Sequence, residues 1–143
     1  MSHITFLRHA ESIFNVDCKS NLRDCSLTTF GILQASTLNG HYDLIIVSPL
    51  LRAKQTLLHS NITYDHCIIN NLIREFKTDP CDFFEDEEYK LETEDELMDR
   101  GNEFINELKR LNSNILVISH CEFIFSITGT SLHNIEKLSI EIV

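Results

Sequence analysis

The 143 residues, 43% hydrophobic and 24% charged, suffice for one domain with one sizeable core and are too few for two. A net charge of −10 argues against binding nucleic acid through its phosphates, which takes basic stripes. No run approaches the roughly 18–20 apolar residues that cross a bilayer.

The chain opens on MSHITFLRHAES, with no basic stretch ahead of a long apolar core. The expectation is a protein without secretory signal that stays in the cytoplasm. Ile4–Leu7 reads as a buried strand, ending on Arg8 and His9. LTTFGILQASTLNG follows as a helix capped by Thr28, with Gly40 as its C′ residue. Leu44–Val47 is a second apolar strand. SPLLRAKQTLLHS then puts Ser48 at an N-cap and Pro49 at the first helical position. Cys67–Ile69 reads as a short third buried strand, followed by Arg74 and Glu75. Phe76–Glu92 is one long irregular piece, a length compact domains keep for function or disorder. The acidic imbalance is centred here: residues 85–96 hold eight acids and one lysine, −7 of the −10. Such a run reads as a solvated loop and helix start. Phe83 and Phe84 pack this loop down or line an entrance.

Thr93 and Glu96 form a capping box for a helix that buries Leu97, Phe104, Leu108 and Leu111, with Gly101 on the same face. Ile115–Ile118 is a fourth strand. It ends on His120 and leads into EFIFSITG, and SLHNIEKLSIEIV closes the chain as a short edge strand. Apolar runs without polar alternation are strands covered on both faces, hence parallel. Their alternation with helices predicts a three-layer α/β/α sandwich with a mostly parallel sheet, right-handed crossovers, and a single domain over residues 1–143.

The five cysteines include no CxxC pair and the seven histidines no HExxH. Reduced thiols are expected, with no disulfide framework, metal or other cofactor.

In an open parallel sheet, ligands bind at the carboxyl ends of the strands. Arg8 and His9 follow strand one, Arg52 the second, Arg74 and Glu75 the third, and His120 the fourth. Singly, each has an ordinary explanation: a solvated arginine, a surface histidine, Asn15 as a turn residue. Their convergence on one edge points to an anion site.

The segments themselves resemble the histidine phosphatase superfamily, the group that includes cofactor-dependent phosphoglycerate mutases. LRHAESIFN is similar to its RHG-type triplet followed by an asparagine, here Arg8, His9, Ala10 and Asn15. LTTFGILQA resembles its first helix, SPLLRAKQT its second phosphate-binding motif with Arg52, IREF supplies Glu75, and VISH supplies His120. The resemblance implies a phosphomonoester hydrolase in which His9 attacks phosphorus and forms a phosphohistidine. Glu75 would act as proton donor. Arg8, Asn15, Arg52 and His120 would hold the phosphate, without a metal.

Two positions depart from the pattern, Ala10 and Cys121, each where glycine is common. A cysteine-phosphatase loop at Cys121 is rejected, since Ile127 stands where its arginine belongs and no glycine lies between. Cys121 is expected to be a packing residue. The GxSxG elbow, the GxxxxGK[ST] loop and a calcium loop pattern are absent.

Mutase-type transfer is the lesser reading, because only 44 residues separate Glu75 from His120 and leave little for a lid. A protein phosphohistidine phosphatase, its acidic loop meeting a basic partner, is the runner-up. A non-catalytic phospho-ligand binding module is the reading from another class. The expected partner is a small phosphorylated substrate, with neither nucleic acid nor membrane involved. The sequence leaves oligomeric state and the ester open.

Overall fold

The computed structural model describes residues 2–142; Met1, and Val143 at the end of the expected edge strand, lie outside. Strands β1 (Ser2–Arg8), β2 (Asn39–Val47), β3 (Asn61–Ile69), β4 (Asn114–Ser119) and β5 (Lys137–Ile142) form one sheet in the order β3-β2-β4-β1-β5. All pairings are parallel except β1 with β5, which is antiparallel. The helices are α1 (Ile13–Val16), α2 (Thr29–Ser36), α3 (Leu51–Leu58), α4 (Glu94–Leu108) and α5 (Cys121–Thr128).

Side chains alternate across a strand, so the apolar runs feed two cores. Ile4, Phe6, Ile46, Ile115 and Val117 pack under Leu97, Phe104 and Leu108 of α4 and Phe123 and Ile124 of α5. Leu7, Ile45, Val47, Leu116 and Ile118 point the other way, against Ala53 of α3. This is the three-layer sandwich expected. Each such fully buried side chain contributes about 1.5–3 kcal/mol.

Several local boundaries differ from the sequence reading. Helix α2 keeps its Thr28 cap, whose side chain accepts from Gly31 N, but ends at Ser36. Gly40 lies inside β2 at φ 118° and is no C′ residue. The ladder to β3 takes that backbone from Asn39 onward. Helix α3 begins at Leu51 rather than at Pro49. Asp24, not Ser48, caps it, its Oδ1 accepting from Leu51 N at 2.7 Å. The third strand runs nine residues and is exposed along almost its whole length, because it is one edge of the sheet; only its Ile62 is buried, in the cluster with Ala53 of α3. Leu111 packs on the core from beyond the end of α4.

The acidic loop is less solvated than its composition suggests. Glu87 pairs with Arg74 at 2.6 Å, and Glu92 with Arg100 at 2.7 Å. Arg74 and hydrogen bonding hold the Glu87 carboxyl down at about 2. Phe83 is buried, stacked on Tyr89 with ring centroids 4.5 Å apart. Phe84 lies under the Arg74 guanidinium at 4.2 Å. Both pack the loop down.

Candidate active site

One cavity of about 220 Å³ opens at the carboxyl ends of the strands. It is smaller than the roughly 300–1,000 Å³ of pockets for drug-sized ligands. Arg8, His9, Asn15, Arg52 and Glu75 all line it, so five of the six residues expected from the sequence meet there.

His9 follows β1 and is 3% exposed. Its backbone N–H donates to Ser119 O of the neighbouring β4 at 3.1 Å, which locks the loop to the sheet. Its Nδ1 lies 2.6 Å from Ala10 O, where only a donor fits. The proton therefore sits on Nδ1 and the lone pair on Nε2, and Arg52 Nε donates to that nitrogen at 3.3 Å. Burial, then the Arg52 charge, hold the His9 pKa well below its ordinary value. The ring is neutral at pH 7, and Nε2 keeps its lone pair.

Ala10 is buried with an ordinary backbone, its N–H donating to Thr56 Oγ1 at 2.9 Å. Alanine therefore replaces the triplet's glycine without strain. The following loop closes on helix α2: a Cβ at Gly31 would stand 2.1 Å from Glu11 O. Only glycine admits that approach, which positions α1 and Asn15. The Oδ1 of Asn15 accepts from Ser12 N and from Asn134 Nδ2, and its exposed amide hydrogens have no partner among the described residues. Arg8 spends one N–H on Leu132 O at 3.0 Å, and its buried Nε has no partner among the described residues.

Arg52, 3% exposed, donates to Cys81 O at 2.7 Å and to Asp82 Oδ1 at 3.0 Å besides His9. Three of its five N–H groups are used, and two are left for a ligand. Asp82 is the residue that sequence reading missed. It is buried in a short 3-10 turn (Pro80–Asp82), where it also accepts from Thr78 N and Asp79 N. The Asp79-Pro80 pair signals that turn, but nothing local says its third residue faces Arg52.

Glu75 reaches the cavity from the far side. Its carboxylate accepts from Phe76 N at 2.8 Å and from Phe123 N and Glu122 N at 3.0 and 3.2 Å, serving as the cap of α5. Those bonds favour the anion, but burial, then repulsion from Asp82, push its pKa up to about 7. Glu75 therefore exchanges its proton near neutrality.

His120 is placed differently. It is fully buried behind His9, ring centroids 5.1 Å apart, with Nε2 2.8 Å from Ser48 Oγ. It is not part of the cavity wall, and its Nδ1 has no partner among the described residues. Burial, then Arg52, keep its pKa well below the ordinary value. Cys121 is not the packing residue expected. It opens α5 half-exposed, lines the cavity, and lies 3.5 Å from Ser131 Oγ. Arg74 faces the acidic loop instead of the cavity. Among the described residues no three His, Cys, Asp or Glu side chains are grouped to hold a metal ion.

The family model of the histidine phosphatase superfamily (branch 1) matches residues 4–80, more than half of the chain. The chain belongs to this superfamily. The matched range carries Arg8, His9, Asn15, Arg52 and Glu75. No curated protein is significantly similar to the chain. Among solved structures, a phosphoglycerate mutase from Thermus thermophilus is similar with a TM-score of 0.74 at 16% identity, over 97% of this chain and 92% of that one. A phosphoserine phosphatase from Entamoeba histolytica, as an H9A mutant with phosphoserine, is similar with a TM-score of 0.66 at 20% identity, over 97% and 90%. At these identities the likeness is one of fold, and the histidine phosphatase fold spans nearly the whole chain.

Proposed function

We propose that this histidine phosphatase superfamily member hydrolyses a small phosphomonoester through a phosphohistidine on His9. One observation carries the reading. A buried, neutral imidazole presents its Nε2 lone pair to a cavity that also holds Arg8 and Arg52. As the ester enters, Arg52 exchanges its bond to Nε2 for a phosphate oxygen. Arg8 and the Asn15 amide take the others. Nε2 attacks phosphorus in line, the P–O bond to the alcohol breaks, and Glu75 gives the alkoxide its proton. Glu75, now ionised, takes a proton from water as that water attacks the phosphohistidine, releasing phosphate and restoring both groups. Guanidinium groups aimed at the developing charge supply the main stabilisation. His120, through its contact with His9, holds the nucleophile's ring or turns a nitrogen to the phosphate.

Hydrolysis is favoured over mutase-type transfer because the loop after Glu75 is packed down by Phe83, Arg74 and Glu87 and is not free to close over an intermediate. Exposed Glu85, Asp86 and Glu88 on that loop support a second reading, a protein phosphohistidine phosphatase with a basic partner.

The test is aryl phosphate hydrolysis at about pH 5–8 with chelator, wild type against His9→Ala. Turnover that vanishes in the variant supports the nucleophile, and turnover that survives removes it. A folded wild type silent on aryl, alkyl and phosphohistidine substrates points to a binding module. Exchange between monophosphoglycerates with little phosphate release points to a mutase.

A further inference from the structure

The cavity that gathers Arg8, His9 and Arg52 is small, and the alcohol of an ester needs room beyond it. A second cleft, of about 230 Å³, opens beside it and is lined chiefly by Phe76, Leu97, Met98 and Phe125. Helices α4 and α5 meet where a Cβ on Gly101 would stand 2.6 Å from Ile127 Cγ2. The cleft lies on the N-terminal side of that contact along both helices. Met98 and Phe125 are 53% and 49% exposed. A single exposed apolar side chain is ordinary on a surface. Two that line one cleft leave an apolar wall uncovered.

Cleft and cavity adjoin, because Glu122 lines both. Glu75, the proposed proton donor, lines the cavity, and its carboxylate accepts from the N–H groups of two residues of the cleft, Phe76 at 2.8 Å and Glu122 at 3.2 Å. An alcohol oxygen that takes its proton from Glu75 thus leaves at the junction of the two spaces. Arg8 and Arg52 line the cavity alone and hold the phosphoryl end. Cavity and cleft together reach the roughly 300–1,000 Å³ of ordinary ligand sites, and the cleft supplies the apolar walls such sites have. Its two acids, Glu94 and Glu122, are exposed at the rim. Building on the phosphomonoesterase reading, we infer that the cleft between α4 and α5 binds the alcohol part of the substrate and that this part is an apolar alkyl or aryl group.

The test uses ethyl, butyl and hexyl phosphate, whose alcohols are equally acidic, so that only the apolar contact varies. The protein is assayed with chelator, each ester below its micelle threshold. A chain half-buried in an open cleft should raise kcat/KM about twofold per methylene, about fifteenfold from ethyl to hexyl, against about fourfold per methylene for full burial. The preference should persist at about 0.5 M salt, which screens charge and not apolar contact. In a Met98→Ala, Phe125→Ala double variant the hexyl preference should fall to within about threefold, and Phe125→Leu, which keeps an apolar wall, should retain most of it. If the double variant does not fold, Phe125→Ala alone, at an exposed side chain, should remove about half of the preference on a logarithmic scale. A flat series, or a preference untouched by the variants, overturns the inference. A flat series with a concentration-dependent mass that the double variant abolishes assigns the cleft to a second copy of the chain instead. The phosphatase reading is tested apart from it, by His9-dependent hydrolysis of 4-nitrophenyl phosphate. Where no ester turns over, calorimetric Kd values of ethyl-, butyl- and hexylphosphonate decide the chain-length preference by the same criteria, and failure of all three to bind overturns it.

Discussion

Glu75→Gln removes the proposed proton donor while keeping the side chain's size. A carboxyl with a pKa of about 7 is about 90% protonated at pH 6, whereas one at 4.5 is about 3% protonated, an advantage of about thirtyfold. Turnover of an alkyl phosphate, which needs that proton, should fall about a hundredfold or more in the variant. An aryl phosphate, with its better leaving group, should lose less. Wild-type kcat for the alkyl ester should decline above about pH 7, and that limb should be missing from the variant. His9 adds no limb there, because its pKa lies well below 6.5. Stability carries the same signature with a definite sign. The folded pKa is raised, so the protonated carboxyl stabilises the fold at low pH, and that contribution is lost as pH rises from 4.5 through about 7. At about 1.4 kcal/mol per pH unit the loss is at most about 3 kcal/mol. Urea unfolding at pH 5 and pH 8 measures it. Alkyl-ester turnover within threefold of wild type would refute the role of Glu75, and a flat wild-type profile up to pH 9 would refute its raised pKa.

Asp82→Asn leaves the buried Arg52 charge without its partner. It should destabilise the protein by about 3–5 kcal/mol, read as a lower urea midpoint; less than about 1 kcal/mol would mean the pair is solvated. Gly31→Ala drives a Cβ to 2.1 Å from Glu11 O. It should cost about 1–3 kcal/mol and lower turnover by moving the Asn15 loop, visible in melting and kinetics together. Glu87 has a folded pKa of about 2, below its unfolded value of 4.5, so its contribution is present above 4.5 and lost as pH falls towards 2. With its side chain 22% exposed, that contribution is about 1 kcal/mol. Glu87→Gln should remove it at pH 6 and change little at pH 2, checked by urea titration at both.

Much of the site was legible because its information is local. Arg8 and His9 are costly residues directly at the end of an apolar run, Arg52 and Glu75 follow theirs within six residues, and strand direction sends all four to one edge. The capping box at Thr93 and the doubly apolar β1 and β4 were equally readable, since caps and side-chain periodicity depend on neighbours within four residues. Element ends were harder. Gly40 reads as a helix stop until β3 pairs with β2, and Ser48 reads as a cap until Asp24, 27 residues before Leu51, takes that role.

The sequence by itself determined the sandwich and most of the residues delivered to the cavity at its carboxyl edge, His9 among them. Tertiary structure alone decided their chemical state. His9 is neutral because burial and Arg52 make it so. Glu75 titrates near 7 because it is enclosed near Asp82. Arg52 is half-spent because a loop some 30 residues on returns Asp82 to it. These are effects of desolvation and of charges brought within a few ångströms, and neither can be read from residues that are distant in the chain until the fold has brought them together.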